Sequence, residues 1–321
     1  MFKRYRLTRY ILLATMLLGC LPKVVPLAAP EDPSIDSIDQ MGVPQGYDQR
    51  LDYSSFSIGY NYSKKHADWV GTALLPELVR IPRDRVNSFR AEAQIPAQYR
   101  ATLDDYAHSG YDRGHLAPNA THDQTKQSMY DTYTLANMSP QTPKFNRGSW
   151  AQLEQYVRDC AASYEDGEPL FVFTGPYYGS TSPTVGASKI PVPEGYYKVI
   201  YEFNGDTASA MAVQAPQASF DFDRLASFVV SVDTIEDLTR LDFATAIADD
   251  IERTLEASPE PACPIPSKEP TNGATGFGSC GTKNTCSKMS SCAEAKYFLN
   301  DCGVSRLDAN KDGIPCEAIC K

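Results

Sequence analysis

Six of the nine cysteines fall between Cys280 and Cys320, behind a stretch in which Pro259, Pro261, Pro264, Pro266 and Pro270 interrupt any helix or strand. This arrangement divides the 321-residue chain before anything else is read. A short tail this rich in cysteine reads as a small module held by disulfides, the density expected of a short exported segment. Residues 258–277 then form a linker and 278–321 the module. Two further cysteines, Cys160 and Cys263, could make one more bond, and Cys20 is left over. Ahead of the linker, apolar or alternating runs at Ser57–Tyr62, Leu170–Thr174, Tyr197–Phe203 and Ala208–Gln214 predict strands. Helical spacing joins Trp150, Leu153, Tyr156, Val157 and Cys160, and recurs from Phe243 to Leu255. Strands and helices do not alternate regularly, so residues 44–257 are expected to be one α+β domain.

The N-terminus carries a processing signal rather than a folded element. Lys3, Arg4, Arg6 and Arg9 precede an apolar run from Tyr10 to Gly19, about half the ~20 residues that a membrane span needs. Leu17-Leu18-Gly19-Cys20 resembles a lipobox, which would make residues 1–20 a lipoprotein signal and Cys20 a lipidated membrane anchor. The alternative is a secretory signal cleaved near Ala28-Ala29. Both send the chain out of the cytoplasm, to the outer membrane, the periplasm or the medium, where disulfides persist. Residues 21–43, rich in Pro, Ser and Asp without apolar periodicity, are expected to be a flexible arm.

The net charge of −10 argues against tight, non-specific wrapping of nucleic acid. The acidity is uneven, however. From Asp206 to Ala257 there are 11 acidic and 3 basic residues, whereas Leu78 to Lys126 carries 6 acidic and 7 basic. Transient binding and turnover of a polyanion fit that distribution.

The most informative segment is Ser109-Gly-Tyr-Asp112-Arg113-Gly114-His115-Leu-Ala-Pro-Asn119. It is followed by Leu135-Ala-Asn137-Met-Ser-Pro140-Gln141 and by Phe145-Asn146-Arg-Gly-Ser-Trp150-Ala-Gln-Leu-Glu154. In order and spacing these blocks resemble the DNA/RNA non-specific endonucleases, the ββα-metal group. Arg85-Val-Asn-Ser-Phe89 upstream and Ile235-Glu236-Asp-Leu-Thr239 downstream extend the likeness to about 200 residues. The resemblance implies a ββα-metal core with a mixed or antiparallel sheet, and hydrolysis of both DNA and RNA to 5′-phosphate products.

Phosphodiester hydrolysis needs an activated water, a cation to absorb charge and help for the departing oxygen. His115 is the expected general base, since a neutral imidazole takes a proton near neutral pH. The amide oxygen of Asn146 would tether Mg²⁺ or Mn²⁺ lightly. On one continuous helix Glu154 would follow about 80° around and ~12 Å along, a reach suited to a water of the cation rather than the cation itself. Arg85 is the candidate clamp on the scissile phosphate, although Arg80, Arg83 and Arg90 lie close by. Asp112 and Arg113 are expected to fix the turn that presents His115, the resemblance implying a structural or substrate-gripping use for them, and Asn137 to help orient the site. His66, His108 and His122 match nothing in the pattern.

In the tail, Asp308-Ala-Asn310-Lys-Asp312-Gly313-Ile314-Pro-Cys316-Glu317 has oxygen ligands at alternate positions and a glycine for the turn. Its glutamate comes two positions earlier than in an EF-hand loop. The segment resembles the Excalibur domain, which implies Ca²⁺ held by Asp308, Asn310, Asp312, Glu317 and the carbonyl of Ile314. No motif predicts a protein partner. Two other readings stay open: a catalytically silent surface protein that binds calcium and nucleic acid, and a phosphodiesterase acting on something other than a polynucleotide.

Overall fold

The computed structural model describes residues 38–79, 87–164, 169–204, 207–266, 283–289, 292–300, 302, 304–309 and 315–320. The chain divides into two compact units between Ile265 and Pro266. The signal segment and Cys20 lie outside the described residues.

The first unit opens with β1 (Gln49–Asp52), β2 (Ser57–Asn61) and β3 (His66–Leu74). The short helices α1 (Pro76–Val79) and α2 (Leu103–Tyr106) lead to β4 (Asp112–His115), and α3 (Lys126–Thr132) leads to β5 (Met138–Gln141). Then come α4 (Pro143–Asn146), α5 (Ser149–Ser163) and β6 (Leu170–Tyr177), followed by a small hairpin of β7 (Thr184–Val185) and β8 (Ile190–Pro191). The long strands β9 (Gly195–Asn204) and β10 (Thr207–Pro216), β11 (Val229–Val230), α6 (Val232–Thr239) and α7 (Asp249–Glu256) complete it. Seven strands form one antiparallel sheet in the order β1-β2-β3-β6-β9-β10-β11, while β4 and β5 form a separate ribbon. The four predicted strands are all present, and the class is α+β.

The two-residue period of a strand decides what each face of the sheet carries. Along β9, Tyr196 and Ile200 pack with Trp150, Leu153 and Val157 of α5. Their alternates Tyr197, Val199 and Tyr201 pack with Val232 and Ile235 of α6 and with Phe243. Burying Leu153 and Val157 contributes about 1.5–3 kcal/mol each, which holds α5 flat on the sheet. The expectation of a helix from Phe243 is corrected: α7 starts only at Asp249. Arg240 and Ala244 sit in left-handed backbone, and the amide of Phe243 donates to the side chain of Glu236 instead of a helical carbonyl.

Parts of the expected flexible arm and of the expected linker belong to the folded domain. Residues 38–43 do not belong to a flexible arm: Ile38, Met41 and Val43 are buried in the α6 face of the core, and the indole of Trp69 donates to the carbonyl of Pro44. Residues 258–265 do not act as linker either. Cys263 is bonded to Cys160 on α5, and the Glu260 amide donates to the carbonyl of Ala210 at 2.7 Å.

In the second unit α8 (Cys292–Asn300) buries Ala295 and Phe298 against Leu307, with disulfides Cys286–Cys316 and Cys292–Cys320 around them. Asp308 is buried and Glu317 exposed, while Asn310, Asp312 and Ile314 lie outside the described residues.

Candidate active site

The β4–β5 ribbon carries the site, with Asp112 opposite Gln141 and His115 opposite Met138. Glycine is required at 114 because the buried side chain of Gln141 crosses it: a Cβ there would lie 2.0 Å from Oε1 of Gln141. The expectation that Asp112 and Arg113 fix a turn is therefore corrected, since both belong to a strand and the motif ends in one. Immediately after His115 the backbone is clamped by Asn137, which is fully buried and does not line the cleft. Its Oδ1 accepts from the amide of Ala117 (2.8 Å), and its Nδ2 donates to the carbonyls of Ala117 (3.0 Å) and Thr132 (2.9 Å).

The imidazole of His115 meets the ring of Tyr133 edge-on at 5.2 Å and lies 5.8 Å from that of Phe89, so its rotamer is confined by packing. The guanidinium of Arg113 lies 4.2 Å from the centre of the same Phe89 ring. Asp112 points at α4. Its Oδ2 accepts from Nδ2 of Asn146 (2.9 Å), and both its oxygens accept from Arg147, at 2.8 and 2.6 Å. Burial alone would raise the Asp112 carboxyl, but the hydrogen bonds from Arg147 and Asn146 and the charges of Arg147 and Arg113 outweigh it and hold it below the usual aspartate value. A carboxylate accepts only, so it fixes the amide of Asn146 with nitrogen inward and leaves the carbonyl oxygen as the ligating end.

Asn146 and Glu154 do not share one helix, so the single-helix spacing expected between them does not apply. Asn146 ends α4, and α5 starts at Ser149 after a break at Gly148, where a Cβ would come within 2.5 Å of the Lys144 carbonyl oxygen. The break nevertheless delivers both to one place. A cavity of 620 Å³ is lined by Asp112, Arg113, His115, Asn146, Arg147 and Glu154, with Asn87, Phe89, Asn119 and Tyr133 also in its walls. Arg85, like Arg80 and Arg83, lies outside the described residues. His66 and His122 are fully buried and do not line this cavity, and burial lowers them to about 4 and about 3.

Sequence reading missed two residues. Arg147 follows Asn146 directly, and its bidentate grip on Asp112 is visible only once α4 folds back onto β4. Lys198 on β9 is fully buried beside Glu154: its Nζ donates to Oγ1 of Thr174 at 3.0 Å and lies 4.7 Å from the centre of the Trp150 ring. A lone lysine inside the apolar run Tyr196–Ile200 was the available signal.

The donors facing the cavity are amide and carboxylate oxygens, a set that suits a hard divalent cation. An imidazole, two guanidiniums and such an oxygen set, in a cleft open to solvent, can hold a phosphodiester and take a proton from water beside it.

Comparison with known proteins finds similarity along most of the chain. Residues 283–317 match the Excalibur calcium-binding domain. A nuclease of Nostoc sp. is 30% identical over 265 residues, covering 76% of this chain and 94% of that protein. Human mitochondrial endonuclease G is 33% identical over 219 residues, covering 64% of this chain and 72% of that protein. The solved complex of EndoG with EndoGI includes a chain that superposes with a TM-score of 0.62 at 28% identity, covering 69% of this chain and 95% of that one. Residues 36–250 match the DNA/RNA non-specific endonuclease family, and the chain belongs to that family as a nuclease.

Proposed function

We propose that the protein is an exported, divalent-cation-dependent endonuclease that hydrolyses both DNA and RNA, with His115 as general base. The observation that carries this reading is the convergence of His115, Asn146 and Glu154 on one solvent-open cavity although they come from three separate elements. His115, wedged between Phe89 and Tyr133, takes the proton from the attacking water at its ring nitrogen. Asn146 would hold Mg²⁺ or Mn²⁺ through the oxygen that Asp112 leaves outward, and Glu154 would orient water around it. When bound, the cation supplies charge neutralisation at the phosphorus and the departing oxygen. Arg85 would clamp the scissile phosphate, and Arg113, stacked on Phe89, would grip its neighbour. Attack by water leaves the sugar's 2′ position uninvolved, so both nucleic acids serve, and the products carry 5′-phosphates.

Three disulfides among the described residues support an oxidising compartment, reached through the N-terminal signal, with Cys20 as a lipid anchor. The C-terminal module would take Ca²⁺ through Asp308, Asn310, Asp312, Ile314 and Glu317. Incubating the protein with plasmid and with RNA, with and without Mg²⁺, tests the core of the proposal. Degradation of both that needs the cation and is lost in His115→Ala is the expected result. Intact nucleic acid throughout would leave a silent binding protein or a phosphodiesterase of another substrate.

A further inference from the structure

A second cavity, of 450 Å³, adjoins the same ribbon. Its lining begins one residue from the first: Tyr111 borders it and Asp112 borders the cleft, a Cα separation of about 3.8 Å. The two are joined a second time through α4. Thr142, which caps α4, lines the second cavity, and Asn146, which ends it, lines the cleft. Consecutive side chains of a strand point to opposite faces, so it is α4, with Thr142 and Asn146 one turn apart, that relates the two cavities.

The lining identifies which part of a nucleotide fits. Among the described residues it contains no lysine, arginine or histidine, and Glu194 supplies a negative charge, so a phosphate would be repelled. What it offers is an aromatic ring from Tyr111, three consecutive hydroxyls from Ser180, Thr181 and Ser182, and an apolar floor of Val192 and Pro193. The amide of Gln217 is already committed, accepting from the Thr142 amide at 2.8 Å and donating to the Pro193 carbonyl at 2.6 Å, so it is wall and not reader. Aromatic faces stack any base, and hydroxyls both donate and accept, so they can meet the edge of any base.

We infer that this cavity is a nucleoside subsite, taking the unstacked base and sugar of the nucleotide next to the scissile phosphate. The inference rests on the nuclease reading of the cleft. Tyr111 provides the stacking surface, the 180–182 hydroxyls meet the polar edge without selecting a base, and Glu194 keeps the backbone phosphates in the cleft. Tyr111 is thus a substrate-binding residue, beyond its packing against Val185, Ile190 and Val192.

The test uses the full chain with Mg²⁺ and single-stranded oligonucleotides that each carry one abasic residue, placed in turn along the sequence. The expected result is that cleavage falls about ten-fold at one fixed bond relative to the abasic residue, whatever bases surround it. That dip should flatten in Tyr111→Leu and in Thr181→Phe, which fills the cavity. Equal cleavage at every bond around the abasic residue in the unaltered protein overturns the subsite and leaves the nuclease reading intact. Failure to cut the unmodified oligonucleotide refutes the nuclease reading itself. The abasic scan on the unaltered protein decides for or against the subsite even where a variant fails to fold.

Discussion

Replacing Lys198 with methionine should remove a pH dependence that the fold imposes on one amino group. Lys198 is 2% exposed, with its charge met by one hydroxyl, one indole face and the field of Glu154. Burial pulls its pKa from 10.5 to about 8, against the pull of Glu154 and with the push of Arg158. That gap corresponds to about 3 kcal/mol between the two protonation states. Below pH 8 folded and unfolded chains both hold the proton, and the native state carries the full cost of the buried charge. Between pH 8 and 10.5 the native state has released it while the unfolded state retains it, so stability rises with pH. Methionine has a similar length and does not titrate. Urea unfolding of both proteins from about pH 7 to 10.5 measures the difference, in which the other ionising groups cancel. The stability of the natural protein should climb relative to Lys198→Met by about 3 kcal/mol across that range. A flat difference, or one of opposite slope, would refute the reasoning and mean that Glu154 and Trp150 offset the desolvation completely.

Gly114→Ala should cost about 1–3 kcal/mol and lower plasmid cleavage together with the melting temperature, because its Cβ falls 2.0 Å from Oε1 of Gln141. Replacing Cys160 and Cys263 by alanine opens a cross-link spanning 103 residues, and urea unfolding should show a loss of about 4–5 kcal/mol. Glu256, raised to about 8 by burial and by Glu236, Glu252 and Asp233 despite the Tyr201 hydroxyl, contributes stability that is complete below pH 4.5 and is lost as pH rises through 8. Between those limits thermal midpoints of the natural protein should fall more steeply than those of Glu256→Gln.

What the sequence disclosed and what it hid divide along the reach of the forces involved. Strands β2, β6, β9 and β10 and helix α5 were legible because period and composition are local properties, and the blocks around His115, Asn137 and Asn146 because their order and spacing resemble those of one nuclease family. The packing of Ile38, Met41 and Val43 was not, since three apolar side chains in an acidic stretch gain a partner only when β3 and β6 assemble beneath them. The bond between Cys160 and Cys263 could be offered from the sequence as a pairing and is present, although it forms only because α5 and the end of the domain meet across 103 residues. The Asn146–Glu154 relation escapes the sequence for a subtler reason. Gly148 reads as one residue within a continuous helix, and only the approach of the Lys144 carbonyl shows that it is the point at which the helix breaks.

The paradox of an acidic nuclease is resolved by the alternation along β9. Even-numbered side chains from Tyr196 to Ile200 lie on the α5 side of the sheet, while Tyr197, Val199 and Tyr201 face α6 and α7. The carboxylates of Asp233, Glu236, Asp237, Asp242, Asp249, Asp250, Glu252 and Glu256 all belong to the second layer, so the sheet stands between them and the cleft. Layers of this kind are about 10 Å apart, and the screening length at physiological salt is about 8 Å. Their repulsion therefore reaches the cleft weakly, and the charges that line it directly, Arg113 and Arg147 with Asp112 and Glu154, balance. Net charge describes the molecule as a polyanion sees it from a distance, and the catalytic face is described by its own few charges. It follows that lowering the salt, which lengthens screening, should weaken substrate capture by this protein, where a uniformly basic nuclease would bind more tightly.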